Sequence, residues 1–324
     1  MTEYPWLWGG GFALVLITVL MGVAAWSIWF ERKFAGRMQN RPGPTQVGPA
    51  GLLQPLADLL KLIQKEDITP TNADSFLFNI APPLGLLTVL GGMAVYPWAP
   101  GDWVPANLNI GILFTLSIGS LVTIPVWMAG WASNNKYALL GAMRAAAQAV
   151  SFEVPLLLTC LVPIILSGSF RMGDIVEAQA DGHWFALWPP GPGAVAFVLF
   201  LLCSLAEANR IPFDIPEAES ELVAGITTEY MGMKFGLFYL AEYMHTLIAS
   251  FMGASMFLGG WDGPGPDGLH WLVLKGLTLY AGIFWIRWTF LRYRADQFMA
   301  ICWRIFVPVS LLTVTVAAFW RVYA

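Results

Sequence analysis

Stretches of about twenty residues without a charge recur along this chain, and no other feature narrows its fold as much. A bilayer core of about 30 Å is crossed by about 20 residues of helix, and inside it every backbone N–H and C=O needs a partner, which a helix supplies by itself. About eight such windows occur, near Gly11–Phe30, Phe76–Trp98, Leu108–Trp131, Ala145–Ser167, Ala194–Ala206, Phe235–Gly260, Trp271–Phe290 and Ala300–Trp320. The expected fold class is all-α and polytopic: about eight transmembrane helices in a single transmembrane domain over residues 1–324. The fifth window is the shortest and runs into charge at Glu207, so its helix is expected to continue to about residue 209 with its polar end inside protein instead of lipid.

Composition agrees. Hydrophobic residues make up 57% of the 324 and charged residues 12%, against roughly 45–50% and about 25% in soluble domains. The net charge of -4 and the absence of a basic run give nucleic-acid binding no support. Cys160, Cys203 and Cys302 are far apart and lack CxxC spacing, and His183, His245 and His270 are equally scattered. No metal site and no tightly bound redox cofactor is expected. The first ten residues contain no Lys or Arg and include Glu3, unlike the start of a cleavable signal peptide, so the first apolar segment is expected to remain in the mature protein.

Loops rich in Lys and Arg stay in the cytoplasm. Here Arg32, Lys33, Arg37, Arg41, Lys61, Lys65, Lys136, Arg144, Arg210, Lys234, Arg292 and Arg294 all fall in alternate connections, while the opposite side offers Arg171, Lys275 and Arg321. Both termini are thus expected on the outer side of the membrane. Trp98, Trp103, Trp184, Trp188, Trp261 and Trp271 lie near predicted outer helix ends and are expected to act as interface anchors. Pro82, Pro83, Pro125, Pro155 and Pro163 fall within windows and are expected to kink them. Within residues 51–65, Leu52, Leu56, Leu59, Leu60 and Ile63 recur at helical spacing opposite Asp58, Lys61 and Lys65, which predicts an amphipathic helix lying at the headgroup level.

Carboxylates concentrate between Glu207 and Glu242, in a cytoplasmic-side loop over about 207–234 and the helix after it: Glu207, Asp214, Glu217, Glu219, Glu221, Glu229 and Glu242, with Arg210 and Lys234 as positive neighbours. Such an excess cannot all stay ionised cheaply, and groups poised near neutrality can pass protons. Glu217 and Glu221 fit one helical face, and Glu207 lies three residues before Arg210, within reach of an intrahelical ion pair. Glu153, Glu207 and Glu242 are flanked by apolar sequence on both sides, where a carboxylate is a functional candidate by default. An acidic surface loop is the plainer reading for Glu217, Glu219 and Glu221, and a positive-inside anchor is the plainer reading for Arg32 and Arg41.

Four stretches, ERKFAGRMQNRPGPTQVGPAGLLQPLADLLKLIQKE from Glu31, GWASNNKYALLGAMRAAAQAVSFE from Gly130, AEANRIPFDIPEAESELVAGITTEY from Ala206 and RYRADQFMAICWRIFVP from Arg292, closely resemble the family of respiratory complex I membrane subunits that comprises the bacterial H subunits and subunit 1 of mitochondrial NADH dehydrogenase. The resemblance spans nearly the whole chain. It implies a subunit of a proton-translocating NADH:quinone oxidoreductase in a bacterial or mitochondrial inner membrane, with no activity of its own. It further implies a quinone path along Arg32, Arg41, Arg287 and Arg292, and a proton-coupling group of Glu153, Glu207, Glu217, Glu219, Glu221, Glu229 and Glu242, to which Asp214 and Arg210 are adjacent. The implied partners are hydrophilic subunits at the quinone site, which hold the FMN and iron–sulfur clusters, antiporter-like membrane subunits, quinone itself and lipid. One departure is Phe152, where the family commonly has Tyr. The membrane subunit of an energy-converting hydrogenase, needing no quinone, and a free-standing ion or solute transporter are the competing readings. The full first loop and amphipathic helix favour the quinone enzyme.

Overall fold

The computed structural model describes residues 5–101, 103–216 and 219–323, without the side chains of 5–9, 181, 219 and 220. Among these residues there is no strand. In chain order the helices are α1 (Pro5–Met38), α2 (Gln54–Gln64), α3 (Ser75–Gly92), α4 (Gly111–Ser120), α5 (Thr123–Ala132), α6 (Lys136–Ser167), α7 (Met172–Glu177), α8 (Pro192–Glu207), α9 (Glu219–Leu222), α10 (Gly232–Phe257), α11 (Leu269–Thr289), α12 (Ala295–Ile301) and α13 (Val307–Tyr323). Six stretches are long and apolar enough to cross a bilayer: Gly10–Met38, Ser75–Val95, Gly111–Ala132, Lys136–Ser167, Leu269–Thr289 and Ala295–Tyr323. The protein is thus an all-α polytopic membrane protein.

The other two apolar windows depart from that standard for different reasons. Helix α8 is apolar but has only 16 residues. Helix α10 has 26 residues and packs against α1, α3, α8 and α11, with every residue from Thr246 to Phe257 buried. A helix enclosed by other helices meets little lipid, so it can carry Glu242, His245, Thr246, Ser250 and Ser255 without exposing them to hydrocarbon.

Local chemistry sets the helix ends. The Asp74 carboxylate accepts from the Phe76 and Leu77 amides to start α3, and the Asn135 side chain accepts from Tyr137 N to start α6. Gly168, at φ 79°, ends α6 in the left-handed conformation. Helix α6 begins nine residues before its apolar window, in turns that carry Lys136 and Arg144, the latter paired with Glu221 of the acidic loop. Pro125 occupies the first turn of α5, where its missing N–H has no intrahelical acceptor to leave unpaired, whereas Pro82, Pro83, Pro155 and Pro163 lie inside α3 and α6. A five-residue π turn, Cys302–Phe306, joins α12 to α13.

The loops gather at two ends. At one end Arg32 meets Asp58, Lys234 meets Asp67, Arg144 meets Glu221 and Arg292 meets Asp214. Helix α2 lies there with Leu56, Leu59, Leu60 and Ile63 exposed along one stripe. The preceding loop is folded tightly: at Gly51 (φ 77°) a Cβ would stand 2.2 Å from Pro44 O, so only glycine fits. At the other end Gln179, fully buried, donates to Ile175 O and Ser255 O and accepts from the Phe185 and Gly259 amides. Lys275 lies over the Trp184 ring and donates to the carbonyls of Leu258 and Asp262. Of the expected tryptophan anchors, Trp103 and Trp188 are exposed, but Trp98 and Trp261 are core residues because these loops fold back over the helix ends.

Candidate functional site

Helix α8 stops at Glu207, and the way it stops builds the site. Asn209 takes φ 51°, its amide donates to Ala206 O, and Arg210 N donates back to Leu205 O. This is a Schellman closure with Asn in the left-handed position. Gln148 on α6 pins the turn by donating to Ala206 O at 2.6 Å and Phe213 O at 2.8 Å. Arg210 therefore leaves the helix and does not pair with Glu207, which corrects the expected intrahelical ion pair.

Arg210 instead enters the interior at 1% exposure. Its Nε lies 3.0 Å from Glu242 Oε1 on α10, its Nη1 lies 3.9 Å from Glu31 Oε2 on α1, and its Cζ stands 4.1 Å over the Tyr243 ring. These are ion pairs without the alignment of hydrogen bonds, so all three guanidinium nitrogens keep unused donor capacity. Burial pulls the Arg210 pKa down, and Glu242, Tyr243 and Glu31 more than restore it, so it ends above the ordinary arginine range and stays charged. Glu31 also forms an ion pair with Arg287 Nη1 of α11 at 2.7 Å and accepts a hydrogen bond from the Tyr243 hydroxyl at 2.5 Å. Nearby, Tyr280 donates to Ser27 Oγ at 2.8 Å. Two carboxylates and two guanidiniums thus balance in charge where α1, α10, α11 and the turn after α8 meet. Such balance is what lets buried charges persist.

A second centre lies between α8 and α10. Glu207 Oε1 is 3.8 Å from His245 Nε2, and both line a cavity of about 40 Å³ with residues of α3 and α4, among them Thr88 and Thr115. Glu153 on α6 is the neighbouring carboxylate. Beside Glu153, Phe152 stacks on Phe298 at 4.1 Å and contacts Phe213 and Phe306, three aromatic neighbours against which Phe packs without a hydroxyl.

The remaining carboxylates of the acidic stretch are spread among separate partners. Asp214 Oδ2 receives Arg292 Nη2 at 2.7 Å, Glu221 pairs with Arg144 at 2.5 Å, and Glu229 accepts from Asn135 Nδ2 at 2.6 Å. Part of the expected surplus of negative charge is thereby met by Arg144 and Arg292, which are distant in sequence. Glu217 and the Glu219 side chain lie outside the described residues; the helix there is the four-residue α9. Among the arginines, Arg287 and Arg292 join the buried cluster and its edge. Arg32 bonds Asp58 of α2 at 2.7 Å, and Arg41 bonds Gln39 at 2.7 Å in the exposed first loop.

Sequence reading passed over Glu31, Ser27, Tyr243, Tyr280, Gln148 and His245. Glu31 opens a basic run and read as part of it; its four-residue spacing from Ser27 on one helical face was the available signal. Among the described residues no group of three or more His, Cys, Asp or Glu is arranged to hold a metal, and the three cysteines are buried and separate.

Comparison with known proteins adds the family. The family model described as NADH dehydrogenase matches residues 11–318. The H subunit of the NADH-quinone oxidoreductase of Dehalococcoides mccartyi (strain CBDB1) is 46% identical over 308 residues, covering 95% of this chain and 84% of the relative. The corresponding H subunit of Thermomicrobium roseum is 42% identical over 326 residues, covering 95% and 94%, and that of Burkholderia ambifaria (strain MC40-6) is 43% identical over 328 residues, covering 98% and 92%. With the family matched over residues 11–318 and identities of 42–46% along nearly its whole length, the chain belongs to the NADH dehydrogenase family.

Proposed function

We propose that this chain is a membrane subunit of a proton-translocating NADH:quinone oxidoreductase, that it forms part of the quinone chamber, and that it couples quinone reduction to proton movement through buried carboxylates. The observation that carries the reading is the row of charged groups leading from the loop end into the helices. It runs from Asp214–Arg292 to Arg210–Glu242 and Glu31–Arg287, with Glu207 and His245 facing each other between α8 and α10. Ionisable groups buried in a membrane protein are costly to hold there, and where they occur they commonly mark a path for charge.

Quinone reduction takes up protons with its electrons. Arg32, Arg41, Arg287 and Arg292 at or near the loop end are the groups we assign to the quinone path. Negative charge developing on a quinone there competes for arginines that otherwise pair with Asp214 and Glu31, and so alters how firmly Glu242 and Glu207 hold protons. FMN and iron–sulfur clusters belong, on this reading, to hydrophilic partner subunits; the three cysteines of this chain are free and buried, one short of the four thiolates that a cluster takes. Antiporter-like membrane subunits are the partners on the other flank. The basic loop end faces the cytoplasm or matrix, and both termini face outward.

Replacing Glu242 or Glu207 by Gln keeps shape and much of the hydrogen bonding but removes the titratable proton. In membranes with normal amounts of assembled enzyme, Glu242→Gln and Glu207→Gln are each expected to lower quinone reduction and proton pumping by about a hundredfold or more, within the span that positioned proton carriers contribute. Electron transfer to a hydrophilic artificial acceptor should be unchanged. Wild-type turnover and pumping in both variants would sink the relay.

A further inference from the structure

We propose that His245 is a proton-carrying residue, joined to Glu207 by water held in the cavity between α3, α4, α8 and α10. The inference rests on the relay reading above and adds to it a residue, a water site and a direction across α10.

The separation of 3.8 Å between Glu207 Oε1 and His245 Nε2 exceeds a direct hydrogen bond, and one water can bridge atoms so placed at a bent angle. The cavity they line, about 40 Å³, is larger than the roughly 10–15 Å³ that one water needs. Its polar wall is made for water. Thr88 donates to Gly85 O, Thr115 to Gly111 O and Ser204 to Leu201 O, each within its own helix, so their oxygens remain as acceptors. A water there donates to these oxygens or to Glu207 while meeting an imidazole nitrogen. Glycines 92 and 119 also line the cavity, leaving backbone where larger side chains would close it.

The charged neighbour of His245 within ion-pair reach is Glu207 of α8, and beyond it stands Glu153 of α6; from α3 and α4 the cavity receives hydroxyls and apolar groups. A proton leaving the Glu207 carboxyl passes to the bridging water as that water gives one of its own to the imidazole, leaving a carboxylate, a water and an imidazolium. Atoms and charge balance, and no redox partner is involved. Imidazole suits this step because it can take a proton at one nitrogen and release one at the other. His245 lies three residues after Glu242 on α10, so one helix presents a protonatable group to the arginine cluster and another to the α8 side.

The test uses assembled enzyme in native membranes with three variants. His245→Asn keeps a hydrogen-bonding side chain that does not titrate. Gly119→Ala adds a methyl 3.5 Å from Glu207 Oε1, an ordinary contact that takes cavity space without altering a titratable group. Glu207→Gln is the reference for the relay itself. The readings are quinone reduction, its solvent deuterium isotope effect, and electron transfer to a hydrophilic artificial acceptor. We expect His245→Asn and Gly119→Ala to slow quinone reduction by about a hundredfold, at the lower edge of proton-carrier effects, with an increased isotope effect and an unchanged artificial-acceptor rate. His245→Asn at wild-type rate and isotope effect beside a slowed Glu207→Gln would overturn the inference and leave the relay standing. Wild-type behaviour in Glu207→Gln as well would overturn both. A slowed His245→Asn whose isotope effect does not change would mark a packing role and overturn the inference, and a wild-type Gly119→Ala would remove the water link.

Discussion

Arg210 is the most deeply buried charged residue among those described. It is almost wholly buried between Glu242 and Glu31, and the two carboxylates do not depend on it equally. Glu31 keeps Arg287 and the Tyr243 hydroxyl if Arg210 is lost, whereas the ion pair of Glu242 is with Arg210. Breaking a buried pair by removing one partner destabilises by about 3–5 kcal/mol, while replacing both partners with apolar groups is often neutral. Arg210→Met is therefore expected to lower the unfolding temperature and the amount of assembled enzyme. Arg210→Met combined with Glu242→Leu should restore assembly without restoring quinone reduction. Assembly that falls further in the double variant than in Arg210→Met alone would refute this assignment of partners. At this scale the sequence was a partial guide. Glu207, Arg210 and Glu242 are visible as charges amid apolar residues, but pairing among residues 31, 210, 242 and 287 depends on three helices and a turn meeting, which spacing along one chain cannot reveal.

Elements place these residues, and the closure after α8 does so most directly. Its left-handed residue is Asn209 at φ 51°, a conformation that Asn tolerates, that Gly adopts freely, and that costs other residues roughly 1–2 kcal/mol. Asn209→Gly should keep stability and turnover. Asn209→Val should destabilise by about 1–2 kcal/mol and depress quinone reduction by displacing Arg210, since a β-branched residue resists that conformation. Thermal unfolding and turnover of the purified complex decide it; equal behaviour of the two variants would mean that the turn does not position Arg210. Helix existence was legible from apolar windows, because bilayer thickness imposes a length that composition can report. Helix α10 shows where that signal weakens. Enclosed by neighbours, it is freed from the need to be apolar, and its polar residues are the ones the site uses. The end of α8 was the reverse case: the sequence carries the helix to about residue 209, and the backbone leaves it after Glu207 and turns at Asn209.

At the scale of the whole molecule, the two ends differ in charge and in construction. The end holding the first loop, α2 and the turn after α8 carries Arg32, Lys33, Arg37, Arg41, Lys61, Lys65, Arg144, Lys234, Arg292 and Arg294. The opposite end has Arg171, whose guanidinium bonds Asn107 and pairs with Asp174, and Lys275, whose ammonium is occupied by loop carbonyls. Basic residues engaged in this way still count toward topology, but they are too few to compete with the other end. The loop end should consequently face the cytoplasm or matrix. Thr45 is exposed in the first loop and Asp267 is exposed in the loop between α10 and α11, while the native cysteines Cys160, Cys203 and Cys302 are all buried and should give little background. In membranes stripped of peripheral proteins, a membrane-impermeant maleimide is expected to label Thr45→Cys only in inside-out vesicles and Asp267→Cys only in right-side-out ones. Stripping matters because the hydrophilic partners proposed to seat at the quinone end would otherwise cover Thr45. The reversed pattern would place the carboxylate and arginine clusters next to the wrong compartment, and the proposed order of quinone path, buried relay and outward termini would have to be abandoned together.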